Sequence, residues 1–238
     1  MRDDYTEIAI VLDESGSMQS TKQDAIGGFN QFLEDQKKLP GIANLTLAKF
    51  NTTYTLTYPP TVLTNIPHLT DNDYNPGGGT ALLDAMGRTI DELGDRLSKL
   101  TEENRPSKVI VVIITDGEEN SSRNFTRFQI NDKIKIQEDV YKWKFVFIGS
   151  NQDAIATAAS YGISAQSSLS MGVGGEALKM SYQSLSKSVS NVRLGLAKEA
   201  VFNADDRLIQ NALGATPHRK KDDNLRSGTD DSSSWPSK

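Results

Sequence analysis

Ile8 to Leu12 is an unbroken run of β-branched and aliphatic residues that stops abruptly in oxygen-bearing side chains. It is too short for a buried helix and reads as a strand covered on both faces, which a chain achieves only by laying helices on both sides of a sheet. Val109 to Ile114 repeats the pattern as a β-branched hexamer and ends in Thr115-Asp116-Gly117. After the first run, Asp13, Ser15 and Ser17 place oxygens at alternate positions in a turn loosened by Gly16. One carboxylate and two hydroxyls aimed at a point are hard ligands for a small divalent cation, Mg²⁺ first, with Mn²⁺ or Ca²⁺ as alternatives. Asp13 or Ser15 would equally serve to cap the following helix. On this motif alone both readings stand.

Composition narrows the function classes. At 238 residues the chain suffices for one α/β domain with a fully buried sheet. No apolar run approaches the ~20 residues needed to span a bilayer, and none is expected to meet a membrane. The chain has no cysteine and only His68 and His218, which excludes disulfides, thiolate metal sites and the usual zinc enzymes. A net charge of −5 argues against nucleic acid as the main partner. Met1 to Tyr5 leads straight into a strand and leaves no room for a signal peptide, so the expected location is cytoplasmic.

Strands and helices alternate along the chain. Thr21 to Leu39 carries Ile26, Phe29 and Leu33 at helical spacing and is stopped by Pro40-Gly41. Asn44 to Phe50 and Tyr54 to Tyr58 alternate with period two and form an antiparallel hairpin, ended by Pro59-Pro60. A polar segment, Thr61 to Asn75, follows. Gly77-Gly-Gly-Thr80 then opens the most regular helix, with Leu83, Met86, Ile90, Leu93, Leu97 and Leu100 on one stripe and Thr80 at the capping position. Beyond Asp116, Phe125 to Tyr141 reads as helix and Lys144 to Gly149 as strand. Asn151 and Asp153 open a helix to about Tyr161, and Ile163 to Ser168 is an edge strand. Gly175 to Val192 and Leu194 to Leu213 are helical, and from Gly214 the apolar period is lost and the tail is expected to be disordered. The alternation predicts a three-layer α/β sandwich around a mostly parallel sheet. Ligands in such sheets bind beyond the carboxyl ends of the strands where the strand order reverses.

Asp13-Glu-Ser15-Gly-Ser17, the Gly-Gly-Thr80 turn and Thr-Asp116-Gly resemble, in order and approximate spacing, the three loops of a von Willebrand factor A domain with its metal-ion-dependent adhesion site. The resemblance covers roughly Thr6 to Tyr161 and the strand and helix that follow. It implies a Rossmann-like sheet with one antiparallel edge strand and a domain over residues 1–192, while the helical extension over 193–213 and the tail over 214–238 lie outside it and are read from periodicity and composition. It also implies that Ser15, Ser17 and Thr80 touch a metal directly, with Asp13 and Asp116 binding it directly or through water. Glu14, Glu118 and Glu119 match no ligand position and are expected to tune charge or face a partner.

The enzyme readings are weaker. No lysine follows the glycines at 77–79, as a P-loop requires, and Ser15 lacks the Gly-x-Ser-x-Gly elbow of a serine hydrolase. A Mg²⁺-dependent phosphatase with Asp13 as nucleophile lacks the second acid, because Ser15 stands two residues on. The expectation is therefore a non-catalytic, metal-dependent protein-binding module that takes a partner's Asp or Glu carboxylate. The alternative is a scaffold subunit of a bacterial or bacteriophage assembly, or the partner of an ATPase.

Overall fold

The computed structural model describes residues 1–150 and 154–215. Six strands form one sheet: β1 (Arg2–Asp13), β2 (Ile42–Phe50), β3 (Tyr54–Val62), β4 (Pro106–Thr115), β5 (Lys144–Gly149) and β6 (Ser168–Ser170). Their order is β3-β2-β1-β4-β5-β6, every pair parallel except β2 with β3. This is the expected α/β sandwich with a single antiparallel edge strand. The chain builds outward from β1 in one direction and restarts with β4 in the other, so the strand order reverses between the two most apolar strands.

Period-two alternation divides their side chains between two cores. Ile8, Ile10, Leu12, Ile110, Val112 and Ile114 face one side, where α1 (Lys22–Lys37) and α5 (Gly175–Arg193) cover them. Ala9, Val11, Val109, Val111 and Ile113 face the other, under α2 (Leu82–Ser98), α3 (Arg127–Asp139) and α4 (Ala154–Ser160). Both faces are apolar because both are roofed by helices. No helix among the described residues is long and apolar enough to cross a membrane.

Several boundaries differ from expectation. β3 runs through Pro59-Pro60 to Val62, and the register slips between Leu45↔Thr61 and Leu47↔Tyr58. An edge strand tolerates prolines because one side of its backbone has no ladder to complete, and the irregularity absorbs them. β6 is Ser168–Ser170, with Ala165–Ser167 forming a 3₁₀ turn where the strand was expected. The helix expected over Leu194 to Leu213 shrinks to α6 (Ala204–Ala212). Gly195, at φ 71°, ends α5 in the left-handed conformation. Ala200 and Phe202 then drop into the core, and an Asn203–Asp206 capping box restarts the helix. The expected start at Asn151 and Asp153, and the tail beyond Ala215, lie outside the described residues.

Helices α1 and α5 approach closely at Gly28. A Cβ there would lie 2.2 Å from the Tyr182 ring, whereas one at neighbouring Gly27 meets nothing within 4 Å. Opposite signs are predicted for two chemically identical substitutions. Gly27→Ala should stabilise by about 0.5–1 kcal/mol through helix propensity. Gly28→Ala should destabilise by about 1–3 kcal/mol, because Tyr182 must be displaced from a filled core. Urea denaturation of both variants checks this, and equal effects would show that the helices have room to part.

Candidate metal-binding site

Parallel pairing of β1 with β4 matches Leu12 to Ile114, which sets Asp13 beside Thr115 and Asp116 at the carboxyl edge of the sheet. Asp13 has no exposed surface and Ser15 is 2% exposed. Asp13 Oδ1 accepts the Ser15 amide at 2.6 Å, folding the turn, and Oδ2 accepts the Thr115 hydroxyl at 2.5 Å. The Ser15 and Ser17 hydroxyls lie 3.1 Å apart, and Ser17 Oγ donates to Asp116 Oδ1. Thr80 joins from the third loop. A point one Cβ length off Gly117 is 2.9 Å from Thr80 Oγ1, 3.5 Å from Ser17 Oγ and 3.6 Å from Asp13 Oδ2. Glycine at 117 thus leaves a small space walled by oxygens. Asp13, Ser17 and Thr80 face that space, and Ser15 and Asp116 join them through the Ser17 hydroxyl, so the five residues singled out in the sequence form one cluster.

None of them caps a long helix. Ser15 precedes a 3₁₀ turn (Gly16–Thr21) without a side-chain capping bond, and Thr21 stands at the start of α1. The first residue before α2 is Ala81, so Thr80 is one position too early to cap. Thr80 anchors its loop through its backbone instead, its amide donating to Asn120 Oδ1 at 2.9 Å and its carbonyl accepting the Asn120 amide at 3.0 Å.

The helix α2 is capped from another loop, by a residue assigned a different role in the sequence. Glu119 accepts the Leu83 amide at 2.9 Å and the Ser121 and Ser122 amides at 2.9 and 2.8 Å. Asp84 returns the favour, accepting the Arg123, Asn124 and Phe125 amides at 2.9 Å each. Burial acts against the Asp84 charge, but those donors outweigh it and hold the carboxyl below its ordinary range. Glu14 likewise turns away from the cluster, to the buried Lys49 Nζ at 2.7 Å and the Asn75 amide at 2.6 Å. Of the three acidic neighbours only Glu118 is exposed. Tyr74 was not distinguishable in its polar segment; it is fully buried beneath the turn and donates to the Asp13 carbonyl.

The donor set suits a hard divalent cation. It holds two carboxylates and three neutral hydroxyls, and among the described residues no three His, Cys, Asp or Glu side chains converge. Burial pushes the Asp13 carboxyl up against its hydrogen bonds from Ser15 and Thr115. Burial does the same to Asp116, opposed by the Ser17 hydroxyl and reinforced by the charge of Asp13. Two anions held together in a partly dry site destabilise one another until a cation joins them.

Asp116→Asn should therefore raise the metal-free melting temperature at pH 7, because the amide keeps an acceptor for Ser17 and removes the repelling charge. The gain should be below about 1 kcal/mol, since solvent screens Asp116, or up to ~2–4 °C for a chain of this size. A carboxyl raised in the folded state costs stability when ionised and ceases to do so once protonated. The difference between variant and wild type should accordingly shrink as pH falls through the raised folded pKa. Calorimetry in EDTA at neutral and acidic pH tests this, and a lower melting temperature for the variant at pH 7 would contradict it.

Residues 8–119 match the family model of the von Willebrand factor type A domain. No curated protein sequence matches the chain. Among solved structures, the chain is similar to a D319A mutant of the PilB minor pilin from Streptococcus sanguinis, with 12% identity and a TM-score of 0.60 over 81% of this chain and 63% of that one. A von Willebrand factor type A structure from Catenulispora acidiphila aligns with 13% identity and a TM-score of 0.52, over 78% of this chain and 42% of that one. Proximal thread matrix protein 1 from the mussel byssus, with a zinc-occupied MIDAS motif, aligns with 15% identity and a TM-score of 0.51, over 78% of this chain and 46% of that one. The chain spans less than two thirds of the length of each of these structures. Residues 8–119 thus match the von Willebrand factor type A domain in sequence, and most of the chain shares the fold of a solved von Willebrand factor type A structure.

Proposed function

We propose that this chain is a divalent-metal-dependent protein-binding module, with Asp13, Ser15, Ser17, Thr80 and Asp116 as the metal-holding residues. The observation that carries the reading is the pocket off Gly117, where Thr80 from one loop and Ser17 and Asp13 from another turn their oxygens to the same small volume. A bound Mg²⁺, Mn²⁺ or Ca²⁺ would supply an electrophilic position that a partner's Asp or Glu carboxylate can fill. The residues' own contribution is neutrality: three of the five ligands carry no charge, so the cation is left with affinity for one more anion. Lys49, Glu14 and Tyr74 hold the Asp13 turn from behind, and the Glu119–Asp84 exchange fixes the Thr80 loop against the Asp116 loop. The likeness to a zinc-occupied MIDAS and to a minor pilin supports metal-linked binding in an assembly over catalysis.

Metal should act on an already folded protein, since the two cores are complete without it. At Mg²⁺ a hundredfold above its dissociation constant the stabilisation should be about 2.7 kcal/mol. That corresponds to a rise of about 5–10 °C in melting temperature. Asp13→Ala should abolish the rise, and identical melting in EDTA and excess Mg²⁺ for the wild type would remove the metal from the account.

The function itself is tested by capture. Wild type and Thr80→Ala are each used to retain partners in Mg²⁺ and in EDTA. Only wild type in Mg²⁺ should retain the partner, while Thr80→Ala leaves metal-free melting nearly unchanged. Retention of the same partner in all four conditions would favour the scaffold reading, in which the metal is secondary.

A further inference from the structure

A cleft of about 220 Å³ opens beside the five-residue cluster, lined by Leu82, Gly117, Glu118, Glu119, Arg127 and Tyr161 among others. Gly117 lines the cleft and borders the Thr80 and Ser17 hydroxyls, so the two sites adjoin. The charges lining it are not equivalent. Glu119 has both oxygens committed to backbone and hydroxyl donors, so its charge is already satisfied. Arg127, exposed at the first position of α3, has its guanidinium carbon 5.7 Å from the centre of the buried Tyr161 ring. Among the described residues no carboxylate comes within ion-pair distance of it. A guanidinium steadied on an aromatic face and not ion-paired to an acid among the described residues is a planar fork ready for a carboxylate.

We propose that Arg127 is a second recognition point for the partner, which is an acidic segment carrying two carboxylates, one for the five-residue cluster and one for Arg127. The proposal rests on the reading of that cluster as a metal-dependent protein-binding site. Glu118, exposed at the same cleft, acts against a second acid and so limits which spacing between the two carboxylates is accepted. Arg127 is thus a specificity residue: it distinguishes an acidic pair from the single acid that the metal site alone would take.

The probes are fluorescein-labelled Gly/Ser peptides carrying either one Asp or an Asp and a Glu at successive spacings, read by anisotropy on the full chain in Mg²⁺ and in EDTA. At one spacing the two-acid peptide should bind about tenfold tighter than the single-acid one, the effect of one added charge-assisted contact. Arg127→Gln should erase that advantage while leaving single-acid binding and the Mg²⁺-dependent melting shift unchanged. Arg127→Lys should keep part of it, and Glu118→Gln should enlarge it. If no spacing gives an advantage, or if Arg127→Gln retains it, the proposal is overturned. An advantage that persists in EDTA and still depends on Arg127 would sink the metal reading and leave Arg127 as the anchor. Peptides that fail to bind under any condition overturn both.

Discussion

The adjacency of β1 and β4 is the constraint on which the site depends. Two strands covered on both faces can be neighbours only in the middle of a sheet, and their parallel pairing brings both acidic turns out at the same edge. Asp13 is consequently fully buried at a place where the chain direction of assembly reverses. A carboxylate in that position is costly, and the protein offsets the cost with directed hydrogen bonds from Ser15 and Thr115, not with an ion pair. The buried cation on the neighbouring strand, Lys49, is bound to Glu14. The oxygens are therefore held in place without being neutralised, which is the condition a divalent ion resolves.

The supporting loops are tied to each other more than to the sheet. Glu119 caps α2 from the loop after β4, and Asp84, in the first turn of α2, gathers three amides of that same loop. Each segment thus satisfies the other's free donors, which is how irregular backbone stays ordered at a helix end. Ala81 donates to the Asn51 carbonyl and Gly16 to the Gly78 carbonyl, so the β2–β3 turn and the Asp13 turn are joined to the same assembly. Glycines at 78 and 117 serve this closeness, the first at φ 79° and the second where a side chain would meet the Thr80 hydroxyl.

Another buried charge lies midway along β1. Glu7 has no exposed surface, accepts the Tyr5 hydroxyl at 2.9 Å and pairs with Arg96 of α2 at 2.6 Å. Burial raises the Glu7 carboxyl, and Arg96 acts against that rise. This pair ties α2 to the central strand far from the cluster, so the helix that follows Thr80 is fixed at both its ends. Its apolar stripe, from Leu82 to Leu97, fills the space between.

The sequence by itself determined the class of the fold, which is written in local pattern, and offered the five oxygen-bearing residues through the resemblance of three separated loops. A β-branched run with no polar face must be roofed twice, whereas a turn of alternating Asp and Ser after such a run can serve capping as well as a cation until the other loops are in place. The chain could not show which acidic neighbours serve the site, since Glu14, Glu118 and Glu119 look alike until packing turns the first toward Lys49, leaves the second in solvent and sets the third against α2. It also could not place Tyr74, Arg127 or the Gly28–Tyr182 contact, whose partners are far away along the chain. The continuation of β3 through Pro59-Pro60 was hidden for the same reason, because a proline breaks a strand or survives in it according to whether a neighbour lies on that side. Periodicity reports which face of an element is buried; only the tertiary structure decides what it is buried against.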